Sequence, residues 1–207
     1  ELYGFEIEVA EKLAADMGVK PDFKVYEWDN IIVALQKGEI DVIAGGMAIT
    51  PERALKVNFS LPYADSGITM VANSAITKEI TSLEMANQKD VIFAVVEGTV
   101  ANELVNSLFD NATIKTFKTT KEVADAVLSG VAHAYVGSSP QPEFLALEYP
   151  DKLDLPLNKP LLTYKAGLAV QKGQQEWLNF LNAWVTARSA DKWLLATHDY
   201  WFKNLDW

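Results

Sequence analysis

The chain is 207 residues long and 49% apolar, with a formal charge of −10 and no cysteine. That length and apolar content support one large domain or two small lobes, each with its own core. The negative charge argues against nucleic-acid and anionic-membrane partners, which need a basic patch, and the missing thiols exclude disulfides, thiolate catalysis and cysteine-based metal sites. No apolar run approaches the ~20 residues of a membrane span. No signal-peptide pattern opens the chain either. The first residues enter helical periodicity at once, so a further segment is expected upstream.

Phe5, Val9, Leu13 and Met17 recur at four-residue spacing, which predicts an amphipathic helix over 5–17 closed by Gly18. "FKVYEW" (23–28) reads as a strand, and Asp29 can cap a helix over 30–36 that stops at Gly38. "EIDVIAG" (39–45) is a near-continuous apolar run, the pattern of a strand buried on both faces of a parallel sheet. The alternation returns further on. Strands are expected at 91–96, 113–117 and 132–137, with helices over 97–109, from Lys121 to Gly130, and from 140 to 149. Two apolar crossings, 62–73 and 159–170, join the halves, and two Trp-containing helices close the chain at about 174–188 and 190–203. Strands alternating with helices give an α/β class, here with two lobes and a cleft at strand carboxyl ends.

Residues 45–53, "GGMAITPER", hold the first candidate site. Thr50 is a good N-cap and Pro51 suits the first helical position. Arg53 then stands where a capping box would want Glu or Gln, opposing the helix dipole unless an anion sits beside it. Gly45 and Gly46 leave no Cβ between a ligand and the backbone. A surface ion pair between Arg53 and Glu52 is the other reading open for these residues. "EGT" at 97–99 places Gly98 and Thr99 between a strand and a helix, where backbone N–H groups gather. That is either an anion site or a simple N-cap. Trp28 is either a flat wall for a ligand or a core residue. Trp177, Phe180, Leu181 and Trp184 lie at helical spacing and are expected in the core, and Trp193, Tyr200, Trp201 and Trp207 are expected to pack as well. His133 and His198 show no metal-ligand spacing. Phosphate loops and nucleophile elbows are not found. No metal and no cofactor are expected.

"GFEIEVAEKLAADMGV", "WDNIIVALQKGEIDVIAGGMAITPERALKVNFSLPY", "VVEGTVANEL" and "GLAVQKG…FLNAW" resemble the periplasmic solute-binding proteins of polar-amino-acid ABC transporters. This is the bacterial extracellular solute-binding family 3, with the type II periplasmic-binding fold. The resemblance covers essentially the whole chain. It implies two lobes, 1–70 with 165–207 and 71–164, each a mostly parallel sheet flanked by helices, hinged near 67–73 and 160–166. It implies capture of a small carboxylate-bearing ligand by hinge closure, a membrane permease as partner, a periplasmic or extracellular location, no enzymatic activity and a monomer. The residue matching Arg53 grips the ligand carboxylate in a bidentate pair, a geometry that guanidinium supplies and ammonium does not. Backbone groups matching Gly46, Ala48 and Thr99, with the Thr99 hydroxyl, assist.

Two departures from the family pattern alter the expected ligand. The second-lobe aspartate that usually holds the ligand ammonium is replaced by Ser138 in "YVGSSP", and a Ser or Thr usual in the first lobe is Ala48. Losing one partner of a buried charge pair costs roughly 2–5 kcal/mol. The expectation is a ligand without a free α-ammonium, or one whose ammonium meets another acid such as Glu97 or Asp65. The family's first strand and aromatic loop do not precede "GFEIEVA" in this sequence, so the first strand of lobe one reads as missing, and the expectation is a chain that is truncated, disordered at its start, or completed by another segment. A receptor sensor domain shares the fold. A cyclohexadienyl dehydratase does too, but its general acid falls at Gln141, which cannot exchange a proton at neutral pH.

Overall fold

The computed structural model describes residues 2–204 except Thr81. In chain order the elements are α1 (Phe5–Met17), α2 (Ile31–Gln36), α3 (Pro51–Ala54), β1 (Asn58–Asn73), α4 (Leu83–Ala86), β2 (Ile92–Val96) and α5 (Val100–Leu108). There follow β3 (Thr113–Phe117), α6 (Thr120–Leu128), β4 (Ala134–Ser138), α7 (Gln141–Glu148), β5 (Leu153–Asp154), β6 (Leu162–Val170), α8 (Gln175–Ala190) and α9 (Trp193–Asp199). The class is mixed α/β, a central sheet flanked by helices. The chain divides into two compact units. One is built from the residues up to Tyr26, Asn30–Ser66 and those from Tyr164 onward; the other from Glu27–Asp29 and Gly67–Thr163.

In the first unit, α1 turns Phe5, Val9 and Leu13 inward, where they meet Leu168 of β6 and Leu181 and Trp184 of α8 in one apolar cluster. The four-residue spacing read from the sequence is the face that does this. The expected strand over 39–45 is reduced to an isolated bridge, Ile43 against Ala169, and a second bridge joins Ala48 to Ala166. Both are antiparallel, and β6 is the only partner of this segment among the described residues, so the ladder does not extend. The expected strand over 23–28 is also absent. Residues 21–27 have no regular structure, and Trp28–Asn30 form a 3-10 turn. Side chains hold this stretch instead: Lys24 Nζ donates to the Glu39 carbonyl and Tyr26 Oη to the Glu39 carboxylate.

The second unit carries the sheet order β3-β2-β4-β1-β5. β2 is parallel to β3 and β4, whereas β1 runs antiparallel to β4 and β5. Val71, Ala94, Tyr135 and Leu153 from four strands pack with Val123 and Val127 of α6. Thr99 caps α5, one of the two roles open to it from the sequence, and Thr119 with Glu122 forms a capping box that starts α6 one residue before the expected Lys121. Asp29 does not cap α2, whose N-cap residue is Asn30 without a side-chain bond. It pairs with Lys118 instead.

The C-terminal aromatics divide. Leu181 and Trp184 are buried and Trp177, Trp193 and Trp201 pack against the same cluster, but Phe180 and Tyr200 are exposed. Phe180 lies over the Trp177 ring at 5.7 Å, on the outer side of α8. The helix expected over 190–203 starts at Trp193, and its last turn, Tyr200–Asn204, is a π-helix. Trp207 lies outside the described residues.

One glycine of β4 is dictated by a close approach. A Cβ on Gly137 would lie 2.4 Å from the Tyr135 hydroxyl, because the Tyr135 ring folds back along the strand to donate to Gln141 Oε1. Gly137→Ala is expected to displace this buried ring and destabilise the protein by roughly 1–3 kcal/mol. Urea titration reads the effect directly. An unchanged midpoint would mean that Tyr135 can swing aside without loss.

Candidate functional site

The backbone of residues 45–53 leaves β6 with its polar groups sorted by direction. Around the Ala48–Ala166 bridge, Ile49 N–H donates to the Lys165 carbonyl and Gly167 N–H to the Met47 carbonyl. Met47 and Ile49 therefore face β6, and Ala48 turns its N–H and C=O to the opposite edge, as alternate residues of an extended chain do. Thr50 Oγ1 then accepts from Arg53 N–H at 3.2 Å, Pro51 begins α3, and the chain folds Arg53 back over the strand it has left. Arg53 Nη1 donates to the Ala48 carbonyl at 3.1 Å, and the residue is only 9% exposed. The Ala48 N–H points to the same edge, and none of the described residues accepts it. A guanidinium and a backbone donor thus converge on one place, the arrangement that receives a carboxylate.

Gly46 presents the opposite polarity. Its φ of 65° is left-handed, so a side chain here would be strained. Its N–H is engaged, donating to Tyr63 Oη at 3.0 Å, and the Tyr63 hydroxyl donates to Glu6 Oε2 at 2.6 Å. What Gly46 keeps available is its carbonyl, to which none of the described residues donates. Neither Tyr63 nor Glu6 was expected from the sequence. They stand 57 positions apart, and no periodicity or spacing links them. Glu6 belongs to the polar side of α1 by pattern, yet its carboxyl is enclosed by Tyr63 and Gly46. Burial raises its pKa from 4.5 to about 7, against the lowering effect of the hydrogen bonds from Tyr63 and Gly46. The Tyr63 phenol is held well above 10 by its own burial and by the neighbouring Glu6.

Gly45, Gly46, Ala48 and Arg53 belong to the first unit; Trp28, Thr99 and Ser138 belong to the second. Trp28 is half-buried in its 3-10 turn, with Cδ1 4.0 Å from where a Cβ of Gly98 would stand. It is neither the end of a strand nor a core residue. Thr99 Oγ1 accepts from Asn102 N–H at 3.2 Å and donates its proton to the Val96 carbonyl at 2.7 Å. With that proton engaged, the anion donor left at this position is the backbone N–H. Ser138 ends β4 opposite Ile68 of β1. β2 and β4 pair in parallel at Phe93–Ala134 and Ala94–Tyr135, so the ends that carry Glu97 and Ser138 point the same way. The two acids considered for an ammonium both have lysine partners. Glu97 and Asp29 flank Lys118 at 2.8 and 2.6 Å, and Asp65 pairs with Lys165 while its side chain remains 75% exposed.

A model of the bacterial extracellular solute-binding proteins, family 3, matches residues 1–204. The L-cystine-binding protein TcyJ of Escherichia coli K12 is 26% identical over 202 residues, covering 98% of this chain and 75% of that protein. Among solved structures, the ancestral amino acid-binding protein AncCDT-1, described as a precursor of cyclohexadienyl dehydratase, is 36% identical with a TM-score of 0.85. The match covers 97% of this chain and 85% of that one. A putative ABC-transporter binding component of Wolinella succinogenes, complexed with lysine, superposes with a TM-score of 0.90 at 29% identity, covering 99% and 88% of the two chains.

The raised pKa of Glu6 has a consequence for stability. The folded protein holds this proton more tightly than the unfolded chain, so the contribution is full below about pH 4.5 and is lost as pH rises through about 7. That gap corresponds to roughly 3 kcal/mol. Denaturant midpoints across pH 4–8 should therefore fall more steeply for the wild type than for Glu6→Gln. Parallel curves for the two proteins would show that Glu6 titrates as an ordinary surface acid.

Proposed function

Because the chain belongs to family 3 of the bacterial extracellular solute-binding proteins, we propose that it captures a small amino-acid-type carboxylate and delivers it to the permease of an ABC transporter. The observation that carries this reading is the pairing of Arg53 with the unaccepted Ala48 N–H on one strand edge. A carboxylate there takes two parallel bonds from the guanidinium and a third from the backbone. Gly45, Gly46, Thr99, Trp28 and Ser138 are the remaining proposed contacts, with Gly46 offering an acceptor and Thr99 a backbone donor. Closure about the crossings at 67–73 and 160–166 goes with this reading, as do a monomeric state and a periplasmic or extracellular location. The relatives named for L-cystine and for bound lysine support an amino acid as the ligand class. Binding without turnover is supported by Gln141, whose amide is engaged by Tyr135 where the dehydratase would place its acid.

Ser138 favours a second reading, in which the ligand lacks a free α-ammonium. Calorimetric titration of ligand-stripped protein separates the two. The panel sets L-lysine, L-cystine and L-glutamine against their des-amino carboxylates. The first reading expects an amino acid to bind and its des-amino partner to bind at least tenfold more weakly. Arg53→Ala should weaken binding by roughly 30-fold or more, as loss of a desolvated charge-pair partner does. Preference for the des-amino series would establish the second reading, and unaltered binding by Arg53→Ala would overturn both.

A further inference from the structure

We propose that Glu6 is a positioning residue of the ligand site: through the Tyr63 hydroxyl it orients the Gly46 peptide, and it gives up its proton when an amino acid binds there. This rests on the amino-acid reading above. The geometry is a chain of three groups in the first unit, Gly46 N–H to Tyr63 Oη at 3.0 Å and Tyr63 O–H to Glu6 Oε2 at 2.6 Å. The other carboxyl oxygen lies beside Gly46 itself. A Cβ built on Gly46 would lie 3.5 Å from Glu6 Oε1.

A phenol has one proton to donate and lone pairs to accept with. When Glu6 is ionised the order of the chain is fixed: the carboxylate takes the phenol proton, and the phenol oxygen takes the Gly46 N–H. When Glu6 is protonated its own O–H competes for the same phenol oxygen, so the order is no longer unique. The ionised state is therefore the one that locks the Gly46 peptide, with the N–H held inward and the carbonyl left for the ligand. It also places a negative charge directly behind Gly46. A ligand ammonium donating to the Gly46 carbonyl is favoured by that charge, which acts in a poorly hydrated place where Coulomb forces are stronger than in water. In this way Glu6 supplies, at one remove, the acid that Ser138 does not. The proton it loses passes to solvent.

The groups that face Glu6 leave this linkage clean. From β1 comes Tyr63, which stays protonated because burial and Glu6 itself hold its pKa well above 10. From β6 comes Tyr164, which acts on Tyr63 rather than on Glu6. The 45–46 segment contributes only its backbone. From α9, His198 packs on the adjacent Phe5 ring at 5.4 Å, with Nε2 at the Asp65 carbonyl. No lysine, arginine or second acid among the described residues acts on the Glu6 carboxyl, whose pKa of about 7 is set by burial and these two hydrogen bonds. The linkage therefore operates near neutrality.

Two measurements on the full chain test the proposal, and the first needs no ligand. In 15N-labelled protein, the Gly46 amide resonance should move with pH through a midpoint near neutrality, and should not do so in Glu6→Gln or Tyr63→Phe. In calorimetry with L-lysine or L-cystine, wild-type affinity should rise roughly fivefold to tenfold from pH 6 to pH 8. The heat should vary with buffer ionisation enthalpy in the sense of proton release, and Glu6→Gln should be flat in both respects. A Gly46 amide that does not titrate, or titrates equally in Glu6→Gln, overturns the proposal. So does amino-acid binding with no proton exchanged, or with proton uptake. If no amino acid binds, the functional reading fails, and the ligand-free titration by itself decides whether Glu6 orients the Gly46 peptide.

Discussion

The Tyr63 hydroxyl is the contact on which the first unit's site depends. It joins β1, the start of α1 and the Gly45–Gly46 turn through two hydrogen bonds on a single oxygen. Removing it would take one hydrogen bond from a half-buried carboxyl and one from a half-buried peptide N–H. The contact also settles polarity. With its N–H turned inward, Gly46 can only accept from a ligand, while Ala48, two residues on, has its C=O taken by Arg53 and can only donate. Two nearby positions of one segment thus present opposite polarity, an acceptor at Gly46 and a donor at Ala48.

Arg53 owes its place to the same sorting of backbone groups. A cation in the short α3 opposes the local peptide dipoles, and the fold offsets this by giving the guanidinium a carbonyl from the preceding strand. That bond sets the direction of the Nη1 donor.

The second unit solves a different problem. Its sheet is parallel where helices cross over, at β3-β2-β4, and antiparallel where β1 enters. The turns after β2 and β4 consequently emerge at one edge, carrying the 97–99 loop and Ser138 side by side. The ion pairs near that edge concern lysines: Lys118 is shared by Asp29 and Glu97, and both acids raise its pKa. These pairs are a third to a half exposed, so they order the 27–29 segment more than they stabilise the fold. Net negative charge over the whole chain gives no hint of such local balance.

The strongly periodic and capped elements were legible from the sequence. The 5–17 helix, the strands at 92–96 and 113–117, and a cap at Thr99 follow from local chemistry, which acts over a few residues. Thr50, Pro51 and Arg53 likewise announced both a helix start and a misplaced cation. The runs at 23–28 and 39–45 misled, because an apolar stretch becomes a strand only where partners extend its ladder, and partners are a tertiary fact. The local pattern of 45–53 marked Arg53 as a cation in want of an acidic partner, with a bound anion and a surface pair with Glu52 both open. Which backbone groups of that segment remain open, and the burial that pushes the Glu6 carboxyl up, were decided only by the tertiary structure. Burial of a carboxyl depends on Tyr63 and Gly46 arriving from distant parts of the chain, and no local pattern records that meeting.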